Sequence, residues 1–171
     1  MKFRAPESLA AHHHLDEFAC RSEAQSEWLR YHARQSMAAG LTRVLVVTPT
    51  HQPTVVAYYA WTMAQVEAKN APPRLLKGAG RYPQPVALLA RLGVERQHEG
   101  LGLGAGLLQD VLYRVSCISA EIGCRGLLVH AESEPARDFY RHLIPEFEPS
   151  PTDDLHLILL LKDIQRTLRG R

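Results

Sequence analysis

Gln97-His98-Glu99-Gly100-Leu101-Gly102-Leu103-Gly104-Ala105-Gly106-Leu107-Leu108 is the stretch that decides how this chain folds. Alternating glycines follow a strand-like run and lead straight into an amphipathic pattern. Glycine lacks a Cβ, so the backbone there turns tightly and approaches a ligand closely. The first amide N–H groups of a helix have no internal acceptor and carry the positive end of its dipole. Together these features predict a pocket for a phosphate or diphosphate, and hence a phosphorylated cofactor.

Downstream of the loop, Leu103 to Ile122 predicts a long helix with Leu107, Leu108, Val111, Leu112, Val115 and Ile118 as its apolar stripe, ended by Gly123. Gly126 to Ala131 reads as a buried strand. Glu134 to His142 reads as a short helix with Pro135 in its first turn. Phe147 and His156–Leu161 supply the final strands, and Asp163 to Leu168 forms a short basic tail of helical character. Upstream, Val86 to Val94 is the strand that feeds the loop, and Ala71 to Pro85 is a long loop rich in Pro, Gly and basic residues. Arg43–Thr48 and Val55–Trp61 form a hairpin around a turn at Pro49–Pro53. Ser22 to Ala39 reads as one helix, capped by Ser22 and ended by Gly40. The order α, β-β, β-α-β-α-β predicts an α/β fold with a mixed central sheet flanked by helices, expected as a single domain over residues 1–171.

Composition agrees with a globular domain: 46% hydrophobic, 22% charged, net charge +2. That charge is too small to imply nucleic-acid binding without local clustering. No apolar run reaches membrane-spanning length, and the N-terminus lacks the apolar core of a signal peptide. Cys20, Cys117 and Cys124 fit no zinc spacing, which suits a reduced, cytoplasmic compartment. His12-His13-His14 lacks further ligands at useful spacing, so it reads as a polar surface loop and no metal is expected.

Three phosphate-binding motifs compete for the glycine stretch. A P-loop needs Lys-Ser/Thr after its last glycine, and the chain has Ala105 and Leu107 instead. Gly100-Leu-Gly102-Leu-Gly104-Ala105 satisfies the dinucleotide pattern, but charged residues Glu95 to Glu99 separate it from its strand. Too little chain follows for the additional βα units, and Glu132 lies too far along to be the ribose-binding acid. The third motif is a CoA diphosphate loop. Glu99-Gly100-Leu101-Gly102-Leu103-Gly104 resembles the Gln/Arg-x-x-Gly-x-Gly/Ala loop of the GNAT N-acetyltransferase superfamily, with Glu99 in place of Gln or Arg. The register Gln97-His98-Glu99-Gly100-Leu101-Gly102 also matches; the first is preferred because it places the last glycine at the helix start.

Further segments carry the same resemblance. Leu89-Ala-Arg91-Leu92-Gly93-Val94-Glu95-Arg96 resembles the family's central strand and bulge, and Ala136-Arg-Asp138-Phe139-Tyr140 its A-x-x-F-Y helix. Leu15-Asp-Glu-Phe18-Ala-Cys20 before Trp28-Leu29, and Gly78-Ala-Gly80-Arg81-Tyr82-Pro83 before the strand, are similar to one branch: the GNAT toxins of bacterial toxin–antitoxin pairs, the TacT/AtaT-like group. The resemblance spans most of the chain. It implies a GNAT fold with splayed central strands, acetyl-CoA as cofactor, and the α-amine of aminoacyl-tRNA as acceptor. It also implies a homodimer and a cognate antitoxin of ribbon-helix-helix type.

The resemblance assigns the oxyanion donor to the backbone N–H of Val94 and the general acid to Tyr140, with Phe139 as the packed ring and Tyr140 facing the cofactor. Leu92, Gly93, Val94, Glu99, Gly100, Leu101, Gly102, Leu103, Gly104, Ala105 and Phe139 are the expected cofactor-binding positions, with the Glu99 side chain turned away from the phosphates. Phosphate contacts on tRNA are expected from Arg30, Arg34, Arg74, Lys77, Arg81, Arg91 and Arg96, each of which is also an ordinary solvated charge. Glu95, His98 and Glu132 are possible bases but none stands out. An α-amine, with pKa ~8 against ~10.4 for lysine, needs a base less. Two alternatives stay open: a GNAT enzyme of a small or protein amine, and a non-catalytic acyl-CoA-binding regulatory module.

Overall fold

The computed structural model describes residues 1–170. Seven strands form one sheet in the order β1-β2-β3-β4-β5-β7-β6. They are β1 (Glu7–Ser8), β2 (Arg43–Val47), β3 (Ala57–Val66), β4 (Gln84–Val94), β5 (Gly126–His130), β6 (Glu148–Ser150) and β7 (Asp153–Leu160). The helices are α1 (Glu23–Tyr31), α2 (Ala33–Ala38), α3 (Pro73–Leu76), α4 (Leu103–Ile118), α5 (Glu134–Leu143) and α6 (Leu161–Arg169). The chain divides into two compact units, Met1–Thr62 with Ala90–Asp110, and Met63–Leu89 with Val111–Arg171. β3, β4 and α4 each contribute residues to both.

In the first unit, β2 pairs antiparallel with β3, from Arg43 opposite Trp61 to Val47 opposite Ala57. The β-branched and aromatic residues of these strands are buried on both faces, which is why they read as continuous apolar runs. The two-residue strand β1 pairs with β2 through Glu7 and Ser8, a pairing that no local propensity announces. It is fixed by tertiary contacts. Leu9, Leu15 and Phe18 enter the core with Leu29, Val44 and Tyr58, and Arg34 donates to the Ala10 and His13 carbonyls at 2.9 and 2.7 Å.

The expected helix over 22–39 is two helices. Ser22 caps the first as anticipated, its Oγ accepting the Gln25 N–H at 3.2 Å. The backbone then leaves helical geometry at His32, with φ −124° and ψ −21°. Gly40 ends α2 at φ +73°, a left-handed conformation that favours glycine.

In the second unit, β5 runs parallel to β4 over Ala87–Leu89 and antiparallel to β7 along its whole length. The β4 register with β5 ends at Leu89 opposite Val129, and Ala90–Val94 run on past it. Val66, Leu75, Val86, Leu128, Ile158 and Leu160 form one core cluster here. Sequence boundaries shift in several places. The expected loop 71–85 contains α3, β4 begins at Gln84, β3 continues to Val66, and α4 stops at Ile118. Phe147 is a buried residue ahead of β6, and the tail is the full helix α6.

Gly126 shows how tightly β5 and β7 are joined. A Cβ there would stand 2.3 Å from the Leu159 carbonyl oxygen, a backbone atom that cannot step aside. Gly126→Ala should therefore destabilise the fold by roughly 2–4 kcal/mol, read as a lower denaturant midpoint at unchanged slope. A midpoint equal to wild type would mean that the strands separate without cost.

Candidate functional site

The glycine loop sits between β4 and α4, and the loop itself, with the end of β4 and the start of α4, lies in the first unit. Arg96–His98 forms a 3-10 turn capped by Glu95, whose carboxylate accepts the Gln97 N–H at 3.2 Å. Gly100 and Gly102 then adopt φ of +76° and +81°. A Cβ at either would meet no atom within 4 Å, so the glycines are there for conformation rather than packing. The Gly106 N–H donates to the Gly102 carbonyl at 3.0 Å, which makes that bond the first rung of α4. The amides of Leu103, Gly104 and Ala105 therefore precede every acceptor of their own helix. Open space beside left-handed glycines and a run of helix-start N–H groups is a donor set that fits the diphosphate of coenzyme A.

The side chains around this loop are arranged by the chain before α1. Ala19 accepts the Arg96 N–H at 3.0 Å, and Cys20 accepts Arg96 Nε at 3.3 Å. Gly93 packs under Phe18, Cys20 and Tyr58, where a Cβ would come within 3.1 Å of the Tyr58 ring. Leu92 and Val94 are half-buried and alternate with Arg91 and Gly93 along β4. Leu101 is exposed; Leu103, Gly104 and Ala105 are half-buried. The Glu99 carboxylate is held by Arg21, with Nε at 3.0 Å from both oxygens and NH2 at 2.8 Å. Sequence reasoning missed Arg21: the two partners lie 78 residues apart, and no local spacing connects them.

Tyr140 lies in the second unit on α5, whose start is fixed by Ser133 Oγ accepting the Ala136 N–H at 3.3 Å. Tyr140 is the buried member of the aromatic pair and Phe139 is half-buried. The Tyr140 ring stands edge-on to Phe139 at 5.2 Å and to Phe147 at 6.0 Å. Burial, and secondarily the charge of Glu132, raises its phenol well above the usual value. The neutral, proton-bearing form is thereby strengthened.

Of the seven basic residues expected to meet tRNA phosphates, the structure commits five to the fold. Arg30 donates to the Phe18 carbonyl at 2.5 Å and pairs with Glu23 at 2.9 Å. Arg34 staples the N-terminal segment, as described above. Arg91 lies over the Trp28 ring at 4.8 Å and donates to Gln25 at 3.0 Å. Arg96 binds the Cys20 carbonyl. Arg74 pairs with Glu148 at 2.8 Å and with the buried Asp163 at 3.1 Å. Lys77 and Arg81 lie exposed on a segment that turns through Gly78 and Gly80, both at positive φ, with Tyr82 exposed beside them.

The remaining candidates are also accounted for. Glu95 and His98 bind each other at 2.5 Å, and Glu132 is exposed. Glu7, His12 and His13 cluster closely enough to suggest a metal. However, His13 Nδ1 accepts the Ala10 N–H at 2.9 Å, so in the neutral ring the proton sits on Nε2, where Glu7 accepts it at 3.2 Å. Both nitrogens of this buried ring are spent, which leaves the cluster short of ligands.

No family model matches the chain. Individual proteins do. It is 37% identical over 161 residues to the tRNA-acetylating toxin of Mycobacterium tuberculosis, covering 94% of each chain. AtaT complexed with acetyl-methionyl-tRNAfMet superposes with a TM-score of 0.88 at 26% identity, covering 98% of this chain and 99% of that one. AtaTR bound with acetyl-CoA gives a TM-score of 0.82 at 25% identity, covering 97% and 98%. With a glycine loop of CoA-binding form and a relative of that identity along nearly its whole length, this chain belongs to the tRNA-acetylating toxins, the GNAT acetyltransferases of bacterial toxin–antitoxin systems.

Proposed function

We propose that this chain transfers the acetyl group of acetyl-CoA to the α-amino group of an aminoacyl-tRNA and so blocks translation. Identity to a tRNA-acetylating toxin across 94% of both chains carries this reading, and the loop geometry supports it. Acetyl-CoA supplies an activated thioester. The amides of Gly100–Ala105 bind its diphosphate, and the Val94 backbone N–H serves as oxyanion donor. Tyr140 holds a proton on Oη for the departing sulfur. Lys77 and Arg81 supply phosphate contacts, with Tyr82 presenting a ring for stacking, while the five committed arginines add charge without free geometry. A cognate antitoxin is the partner in this branch; its ribbon-helix-helix type, the homodimer, the single-domain extent and a cytoplasmic setting belong to the same reading. No helix among the described residues is long and apolar enough to cross a membrane.

The direct experiment is incubation with labelled acetyl-CoA and charged tRNA, against deacylated tRNA and polyamines. Label on charged tRNA alone is expected; label on polyamines alone would overturn the reading. Tyr140→Phe should lower kcat by about 10²-fold while the thermal midpoint stays near wild type, since the ring and its packing remain. Full retained activity would remove the phenol from the mechanism.

The pH profile carries a definite sign. The acceptor attacks as the free amine, so kcat/KM should rise with pH and level off above about pH 8. Because Tyr140 is shifted upward, it stays protonated through this range and adds no falling limb. Initial rates that decline from about pH 9 would contradict that assignment.

Two arginines separate fold from function. Arg74→Ala leaves the buried Asp163 with only its longer 3.5 Å contact to Arg166 and should lower the denaturation midpoint without changing the salt dependence of tRNA binding. Arg81→Ala should do the opposite, reducing the slope of log K against log salt by about one.

A further inference from the structure

We propose that Arg21 is a phosphate ligand for coenzyme A, held in readiness by Glu99 at the entrance of the glycine loop. The inference rests on the reading that Gly100–Ala105 bind the diphosphate. Glu99 immediately precedes Gly100, so a negative charge enters the chain at the edge of the segment assigned to the two phosphoryl groups. Alone, that charge opposes the ligand. Arg21 cancels it through one edge of its guanidinium, Nε and NH2, at 2.8–3.0 Å. A guanidinium has a second edge, and the NH1 donors lie outside this pair. A planar fork with one side on a carboxylate can present its other side to a phosphate oxygen.

The backbone beneath Arg21 is fixed while its side chain is not. The Cys20 N–H donates to Ser26 Oγ at 2.9 Å, and the Cys20 carbonyl accepts from Arg96. Ser22 caps α1 on the other side. These bonds pin the chain beside the loop's 3-10 turn. The Arg21 side chain is 83% exposed, and an exposed ion pair of this kind gives up little when it rearranges. Glu99 then acts as a holder: it keeps the guanidinium near the loop, and its own charge is never left facing the phosphates unpaired. A tRNA phosphate is the less favoured occupant, because Glu99 places the guanidinium one residue from the amides assigned to the cofactor.

The test is titration of CoA and 3′-dephospho-CoA into wild type, Arg21→Ala, Arg21→Lys, Glu99→Gln and the double variant Arg21→Ala/Glu99→Gln, with steady-state kinetics on each. Arg21→Ala should raise the Kd for CoA and the KM for acetyl-CoA about tenfold, with kcat and the KM for charged tRNA within about twofold. Arg21→Lys should recover part of the loss. Glu99→Gln should bind CoA at least as tightly as wild type, and the double variant should bind more tightly than Arg21→Ala, because the uncompensated carboxylate is gone. Equal losses for both ligands place the contact on the diphosphate, and a loss confined to CoA places it on the 3′-phosphate. CoA affinity unchanged in Arg21→Ala, or a loss that appears only in the KM for tRNA, would overturn the proposal. Wild type that binds no CoA would instead refute the loop assignment itself.

Discussion

Amides without carbonyl partners at the start of α4 are the constraint on which the rest of this molecule turns. Gly100 and Gly102 hold left-handed backbone at φ +76° and +81°, and the first internal helix bond is made only at Gly106. Each donor ahead of that bond must be satisfied from outside the helix. Side-chain caps are the usual remedy, yet glycine, leucine and alanine provide none. The chain instead leaves a short row of N–H groups that precede every acceptor of their own helix. Such a row is stable only in water or against an anion, and its dipole favours the anion. The surroundings serve that geometry. Arg96 bonds to Ala19 and Cys20 fix the approach from β4, and the Glu95–His98 pair fixes the turn.

The basic residues of this chain divide into arginines bonded to the fold and the exposed pair Lys77 and Arg81. Arg34 closes the N-terminal segment onto α2, and Arg74 neutralises an acid that is almost fully buried. Arg91 is spread on Trp28 with its donor on Gln25. These positions look basic in the sequence, and in the structure each guanidinium also fastens one segment to another. Lys77 and Arg81 differ: both are exposed, on a segment that turns through Gly78 and Gly80 at positive φ.

This division marks where sequence stops being informative. The glycine loop, the capped start at Ser22, the apolar stripe of α4 and the strand order around it are local signals, and local rules read them. β1 was invisible because Glu7 and Ser8 have no strand preference; only tertiary pairing with β2 makes them a strand. The break at His32 left no mark either, as no Pro or Gly accompanies it. Adjacent aromatics at 139 and 140 could be told to face different ways, but the choice between them depends on which stripe the second unit's core accepts. It accepts Tyr140, which is buried, and leaves Phe139 half-buried. The Arg21–Glu99 pair, far apart in sequence, exists only once the segment before α1 is stitched to the loop.

Burial of Tyr140 has one chemical consequence. A proton donor to a thiolate must remain neutral at the working pH, and desolvation favours the neutral phenol. In the same unit His130 stacks on His156 at 3.9 Å, and burial and that neighbour favour its neutral form; in the other unit Glu95 and His98 are bound to each other around the 3-10 turn. The acceptor's own acidity sets how much help it needs from any such group. An α-ammonium with pKa ~8 releases its proton to water readily near neutrality, whereas a lysine ammonium at ~10.4 is neutral in only about one molecule in a thousand. The demand on a base thus differs between amines by their pKa, and an aminoacyl ester lies on the undemanding side of that threshold.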